Sequence, residues 1–465
     1  MIAVALSAVP SRTALTTVPS LQPPLLPDRT GIGRIEFRGA ASSRNANGPA
    51  DRGTGSRKAD VLESSSPVGC LTTSSSKHSF IRRSLMKIID LQTFGVNLSG
   101  GNHIFVKVLT DEHLHGIGEA YRVGPDSAVE QIIHYFKDWL IGEDPTRIEH
   151  LWRIMYNGSR FPGGSMLNAA ISGIEIALWD VKAKAHGVPV YQLLGGRCRD
   201  RVRVYRGIGG NTPQNVATSA RQAVQQEGFT AVKMGPQPPD STRLPWAQVL
   251  RGAAARMEAV RRAVGDDVEI ALDPHAQIFE PFRALELSEA VRPYRPLFFE
   301  EPLRPENIHA LGELHKKINI PIATGEMLYT KYEFRDLIAA GAADILQPDL
   351  LLCGGLMEAK KIAAMAEANQ LTMAPHSPLG PVSTAVSTQF AASTPNFLIL
   401  EYRNDSSGAN RDLILEPLKL IDGYLEIPEV PGIGVELNEA NFHRGGLKPW
   451  RRPLHVEPDG NIVYQ

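Results

Sequence analysis

Three acidic residues stand at near-equal intervals, each at the end of an apolar run. Asp273 closes VEIALD, Glu300 closes PLFFE and Glu326 closes IPIATGE. Other ionisable groups end neighbouring runs: Lys233 in FTAVKM, Asp349 after ADILQ, His376 after LTMAP and Glu401 in FLILE. His275 follows two residues after Asp273. A single acid after a strand is ordinarily a helix cap or a surface charge, but that does not explain its recurrence at nearly every run. Carboxylates gathered at one place repel unless a cation sits between them. An oxygen-only donor set favours Mg²⁺, with Mn²⁺ next, over zinc, which favours His and Cys. Three carboxylates leave coordination positions for water or substrate oxygens. A substrate with adjacent carboxylate and hydroxyl oxygens suits them, and the site would stabilise an enediolate formed when a proton leaves the carbon beside a carboxylate.

That proton needs a base. His376 is the candidate, with Asp349 on its far ring nitrogen to fix the tautomer and raise its basicity. His275, beside Asp273, is placed as the general acid for a leaving hydroxyl. Glu401, if protonated, would donate a hydrogen bond to the enediolate. Lys233 would pair with the substrate carboxylate.

The elements that must position these groups alternate. FTAVKM, VEIALD, PLFFE, IPIAT, ADILQ, LTMAP and FLILE read as strands, with one more near Val202. Helical patterns separate most of them, among them 246–264, 331–340, 356–369 and 381–393. Alternation of this kind implies a parallel sheet, and eight short strands suit a TIM-type (β/α) barrel, assigned to residues 206–411. Barrel active sites lie at the C-terminal ends of the strands, where these residues fall. Residues 86–205 read as an α+β capping domain. KIIDLQTFGVNL and NHIFVKVLT are antiparallel strands turned at Ser99-Gly100-Gly101, and helices are expected at 126–140, 145–156 and 166–185. GIGEA at 116–120, taken to follow a strand, lacks the spacing and βαβ context of a dinucleotide fingerprint. Residues 412–465 are expected to pack back on the capping domain.

The chain has 465 residues with formal net charge −1, which argues against a polyanion-binding surface. The cysteines Cys70, Cys198 and Cys353 show no CxxC spacing, and a reducing, cytoplasmic setting is expected. No run reaches the roughly 18 apolar residues of a membrane span. Residues 1–85 are rich in Ser, Pro, Gly, Thr and Arg, lack Trp and Tyr, and are read as disordered. Met86 as the true start, an Arg- and Ser-rich targeting leader, and a disordered tail are the three readings of that extension.

These residues resemble the enolase superfamily in its mandelate racemase branch, from about Met86 to the C-terminus. The resemblance is carried by GIGEA, AAISGIEIALWDVKAK (169–184), YQLLGG (191–196), LDPH (272–275), FFEEPL (298–303), ATGEMLY (323–329), ILQPDL (345–350), MAEANQLTMAPHSPLGP (365–381) and PGIGVELNE (431–439). It implies Asp273, Glu300 (rather than Glu301) and Glu326 as Mg²⁺ ligands, His275 as acid, His376 as base, Asp349 as its partner and Glu401 as transition-state stabiliser. The Lys-x-Lys of the family's racemases is replaced by Lys233-Met234-Gly235. Loss of the second lysine favours β-elimination over racemisation. Gln277, after His275-Ala276, and the loop RFPGG at 160–164 are the expected substrate contacts. The expected activity is Mg²⁺-dependent dehydration of D-galactonate or a close relative to a 2-keto-3-deoxy acid, by a homo-oligomer. An epimerase, racemase or cycloisomerase is the alternative, and a non-catalytic binding relative a distant one.

Overall fold

The computed structural model describes residues 86–98, 101–442, 446–451, 454, 456 and 459–462. The expected disorder of 1–85 and the Ser99-Gly100 part of the first turn lie outside them.

The N-terminal layer is a three-stranded antiparallel sheet, β1 (Ile88–Leu98), β2 (Gly101–Thr110) and β3 (His115–Ala120), in the order β1-β2-β3. GIGEA is therefore itself most of a strand rather than a segment after one. Its glycines serve packing. A Cβ at Gly116 or Gly118 would collide with the Ala177 or Gly173 carbonyl of the helix lying on the sheet. That helix, α3 (Ser165–His186), is buried over nearly its whole length and stops at Gly187 in the left-handed region. Two amphipathic helices, α1 (Asp126–Leu140) and α2 (Ile148–Gly158), complete the layer.

Eight parallel strands follow: β4 (Arg201–Gly207), β5 (Ala231–Met234), β6 (Glu269–Leu272), β7 (Phe299–Glu300), β8 (Ile322–Thr324), β9 (Ile345–Leu346), β10 (Thr372–Met373) and β11 (Leu400–Tyr402). Each pairs with the next from β4 to β10, and β11 pairs with β4. The circle closes where Met373 bridges Phe397 and the Leu398 N–H donates to the Met373 carbonyl at 2.8 Å. The helices between are α4 (Pro213–Gln225), α5 (Trp246–Val264), α6 (Pro281–Val291), α7 (Ile308–His315), α8 (Thr330–Ala339), α9 (Leu356–Ala368) and α10 (Pro381–Ala392). The first barrel strand thus begins at Arg201, and a boundary between 205 and 206 would cut it.

Residues 412–442 run back to both layers. A hairpin, β12 (Leu420–Ile421) and β13 (Tyr424–Glu426), adds antiparallel to β4. Beyond it, the Ile433 N–H donates to Asp180 of α3 at 2.8 Å, and Phe442 stacks on Phe105 with ring centroids 5.3 Å apart. Among the described residues no helix is long and apolar enough to cross a membrane.

Candidate active site

The barrel interior is filled by Tyr205, Ala231, Ala271, Phe298, Ala323, Ile345, Ala374 and Ile399. Side chains along a strand alternate, so the residue two places on shares the inward face. At that position stand Lys233, Asp273, Glu300, Gln347, His376 and Glu401. The sequence-predicted groups therefore meet at the C-terminal mouth.

Lys233 is buried among carboxylates. Its Nζ lies 2.7 Å from Glu300 Oε1, 3.2 Å from Asp273 Oδ2 and 3.3 Å from Glu401 Oε1. Burial works against the ammonium, but the Glu300 and Glu401 charges outweigh it and hold its pKa well above the ordinary lysine range. The sequence reading sent Lys233 to the substrate; here protein carboxylates hold it. Burial and the Asp273 charge push the Glu300 carboxyl well above the usual carboxylate range, with Lys233 opposing. Glu300 Oε2 has no hydrogen-bond partner among the described residues.

His376 is buried, with Nδ1 2.8 Å from Asp349 Oδ2. Its Nε2 lies 3.4 Å from Glu326 Oε2 and 3.8 Å from Glu401 Oε2. Burial disfavours the imidazolium, yet the Glu326 charge and the Asp349 hydrogen bond carry the pKa up to about 10. Glu401 could donate to an enediolate only if protonated. Burial pushes that way, but the Lys233 and His376 charges hold its carboxyl at about 2, and it accepts the Ser377 N–H at 3.1 Å. In this arrangement Glu401 is an acceptor.

His275 follows β6 and His376 follows β10, four strands apart around the ring of eight. For His275, ring Nε2 is 3.3 Å from Asp273 Oδ2, and the side chain is more than half exposed. His275 and Ala276 both have positive φ, at 55° and 54°, a turn held by the His275 N–H on Asp273 Oδ1 and the Ala276 N–H on the Glu301 carbonyl. Two adjacent non-glycine residues in this region store strain, which is common at functional sites. Gln277 is exposed beside them and lines a cleft of about 270 Å³ with Asp273, His275 and Arg256. The 160–164 loop is largely exposed.

The donor set fits a hard cation. Its atoms are oxygens, Asp273 and Glu300 are buried together, and an ammonium is already drawn between them. No three His, Cys, Asp or Glu side chains among the described residues stand ready to hold a metal as placed. Glu326 is turned to His376 while Lys233 takes the central position.

Tyr121 and Gln347 escaped sequence reasoning, as did the structural role of Glu301, weighed there only as the ligand not chosen. Tyr121, just after β3, places its ring 5.9 Å from that of His376. Burial, with the Asp349 and Glu326 charges, pushes its phenol well above its ordinary range. Gln347 is buried with neither amide atom hydrogen-bonded among the described residues. Glu301 accepts from Thr324 Oγ1 at 2.6 Å and the Gly325 N–H at 2.9 Å, bracing the turn that carries Glu326; burial pushes its carboxyl to about 8. GIGEA stops one residue short of Tyr121, and although ILQPDL and FFEEPL contain Gln347 and Glu301, nothing local marks these side chains as neighbours of His376 or Glu326.

Comparison with known proteins is consistent with this geometry. The mandelate racemase / muconate lactonizing enzyme N-terminal domain matches residues 91–195, and the enolase C-terminal domain-like family matches residues 215–441. D-galactonate dehydratase of Ralstonia nicotianae is 38% identical over 389 residues, covering 81% of this chain and all of that protein. The enzyme of that name from Verminephrobacter eiseniae is 39% identical over 390 residues, with the same coverage. An enolase from Agrobacterium radiobacter, proposed to be a galactarate dehydratase and solved with sodium and L-malate, is 41% identical. It superposes with a TM-score of 0.78 over 82% of this chain and all of its own.

Proposed function

The chain belongs to the mandelate racemase and muconate lactonizing enzyme branch of the enolase superfamily, among its sugar-acid dehydratases, and we propose that it dehydrates D-galactonate or a close relative. The observation that carries the reading is the pair of histidines on opposite sides of one carboxylate-lined mouth. His376 is backed by Asp349, and His275 stands beside Asp273.

Asp273, Glu300 and Glu326 would hold Mg²⁺. Bound there, it would supply positive charge against the substrate carboxylate and the developing enediolate, and would relieve the negative field that keeps a proton on His376. With the ring neutral and its Nδ1 hydrogen turned to Asp349 Oδ2, His376 Nε2 would present the lone pair that takes the C2 proton. Glu401 and Lys233 border the place where charge then develops. His275, on the open side, protonates the departing C3 hydroxyl. The enol product tautomerises to a 2-keto-3-deoxy acid. With Lys233 near the end of β5 and Gly235 where the racemases carry a second lysine, elimination is favoured over racemisation.

The test is a panel of acid sugars, D-galactonate and galactarate included, assayed for 2-keto-3-deoxy acid with Mg²⁺ and again after chelation. Keto acid should form, stop on chelation and return when Mg²⁺ is restored. Solvent deuterium entering C2 without keto acid would favour an epimerase or racemase, and an inert panel would refute both.

A further inference from the structure

Helix α3 carries Ser172, Glu175 and Trp179 three or four residues apart, so they leave the same side of the helix. That stripe meets the loop joining β9 to α9, which contains Asp349. Ser172 Oγ accepts the Gly354 N–H at 2.9 Å. Glu175 accepts the Leu356 N–H at 2.8 Å on Oε2 and the Met357 N–H at 2.9 Å on Oε1, and Trp179 Nε1–H donates to Oε1 at 2.7 Å. From α2, Trp152 Nε1–H donates to the Gly354 carbonyl at 2.9 Å. The first N–H groups of a helix have no intrahelical acceptor, and Gly355, which precedes α9, has no side chain to offer one. Glu175 thus caps a barrel helix from the other layer, where a carboxylate is favoured. Gly355 makes room for it: with φ at 98°, a Cβ there would collide with Glu175 Oε2.

The same loop sets the candidate base. The Tyr121 N–H donates to the Leu351 carbonyl at 3.2 Å, the Leu351 N–H to Asp349 Oδ1 at 2.8 Å, and the Cys353 N–H to the Asp349 carbonyl at 2.7 Å. The other Asp349 oxygen holds His376.

We propose that Glu175 is a positioning residue for proton abstraction: by anchoring the start of α9 on the capping domain it fixes loop 349–355, and through Asp349 the His376 ring. This rests on His376 being the base. Displacing a reacting group by about 1 Å can slow a reaction roughly a hundredfold. Substrate affinity need not change, because Glu175 acts only through the loop.

The experiment uses the full chain as wild type, E175A and E175Q, with protiated and C2-deuterated D-galactonate. For E175A, kcat should fall about 10- to 100-fold with KM within about twofold, and the isotope effect on kcat should rise as proton transfer becomes limiting. E175Q keeps one acceptor oxygen and should fall between. Hydrogen exchange of a peptide spanning 349–358 should speed up in E175A, and more mildly in S172A, which serves if E175A does not fold. An unchanged kcat, a lower kcat with an unchanged isotope effect, or unchanged exchange each overturns the proposal. Wild-type protein inert toward every acid sugar refutes the dehydratase reading instead, and loop exchange still decides whether Glu175 holds 349–358.

Discussion

Asp349→Asn probes the base directly, because the carboxylate makes two contacts that an amide cannot both reproduce. Oδ1 accepts the Leu351 N–H at 2.8 Å, and Oδ2 faces His376 Nδ1 at 2.8 Å. If the Asn oxygen stays on Leu351, its NH₂ donates to Nδ1, the ring hydrogen moves to Nε2, and the lone pair that takes the proton is lost. Turning the amide over restores the tautomer but sets NH₂ against the Leu351 N–H, and a buried unpaired donor costs about 1–3 kcal/mol. Loss of the negative charge beside the imidazolium removes about 1–2 kcal/mol more, the margin of a charge-assisted hydrogen bond over a neutral one. The sum, about 2–5 kcal/mol, lowers kcat by a factor between roughly 30 and 5,000. Asp349 helps hold the His376 pKa up. Its loss lowers that pKa, and since the base must be unprotonated, the acidic limb of the rate profile moves to lower pH. Initial rates of keto-acid formation across pH measure both effects, with Mg²⁺ affinity by calorimetry as the control. A kcat within about threefold of wild type would refute this account of His376, since the tautomer penalty alone exceeds that.

One further substitution probes the chemistry and two probe stability. His275→Asn should lower dehydration about 10²- to 10⁴-fold while C2–H still exchanges in D₂O, because His376 is untouched. NMR of recovered substrate reads this, and absence of exchange would place His275 in abstraction itself. Asp405→Asn addresses stability: burial pushes the Asp405 carboxyl from 3.8 to about 7, with the Asn410 hydrogen bond opposing. The folded chain keeps a proton that the unfolded chain releases above its own lower pKa. Stability from this group is therefore present at low pH and lost as pH rises through that window, by up to roughly 4 kcal/mol. The advantage of the Asn variant in unfolding free energy should grow between about pH 4 and pH 7 and then level off, whereas a flat difference would contradict the shift. Gly355→Ala should destabilise the fold by roughly 2 kcal/mol or more, from its positive φ and the collision with Glu175. A melting temperature equal to wild type would mean the Glu175 contact is loose.

The alternation rule explains which residues could be read from the sequence and which could not. Lys233, Asp273, Glu300, His376 and Glu401 each stand two places beyond a barrel-core residue. One short run therefore announces both a strand and the group at its end, and fold and site became legible together. Glu326 breaks the count. It lies three places beyond Ala323, because Gly325, at φ 132°, inserts a turn. Its approach to His376 depends on that backbone angle, which no spacing encodes. Gln347 obeys the rule but is neutral, so a search for titratable groups passes over it. Helix α4 was missed although Thr212 caps it and Pro213 opens it, because its buried face is Val216 and three alanines, too small to stand out from the polar residues around them. Glu175 shows the deeper limit: in the sequence it is one acid within an apolar helix, and its partners Leu356 and Met357 lie in the other layer. Lys233 carries the same lesson into the chemistry. Taken alone, a lysine at the mouth belongs to the substrate carboxylate. Set among Glu300, Asp273 and Glu401, it is already neutralised, so any cation held between Asp273 and Glu300 competes with Lys233 for the same negative charge.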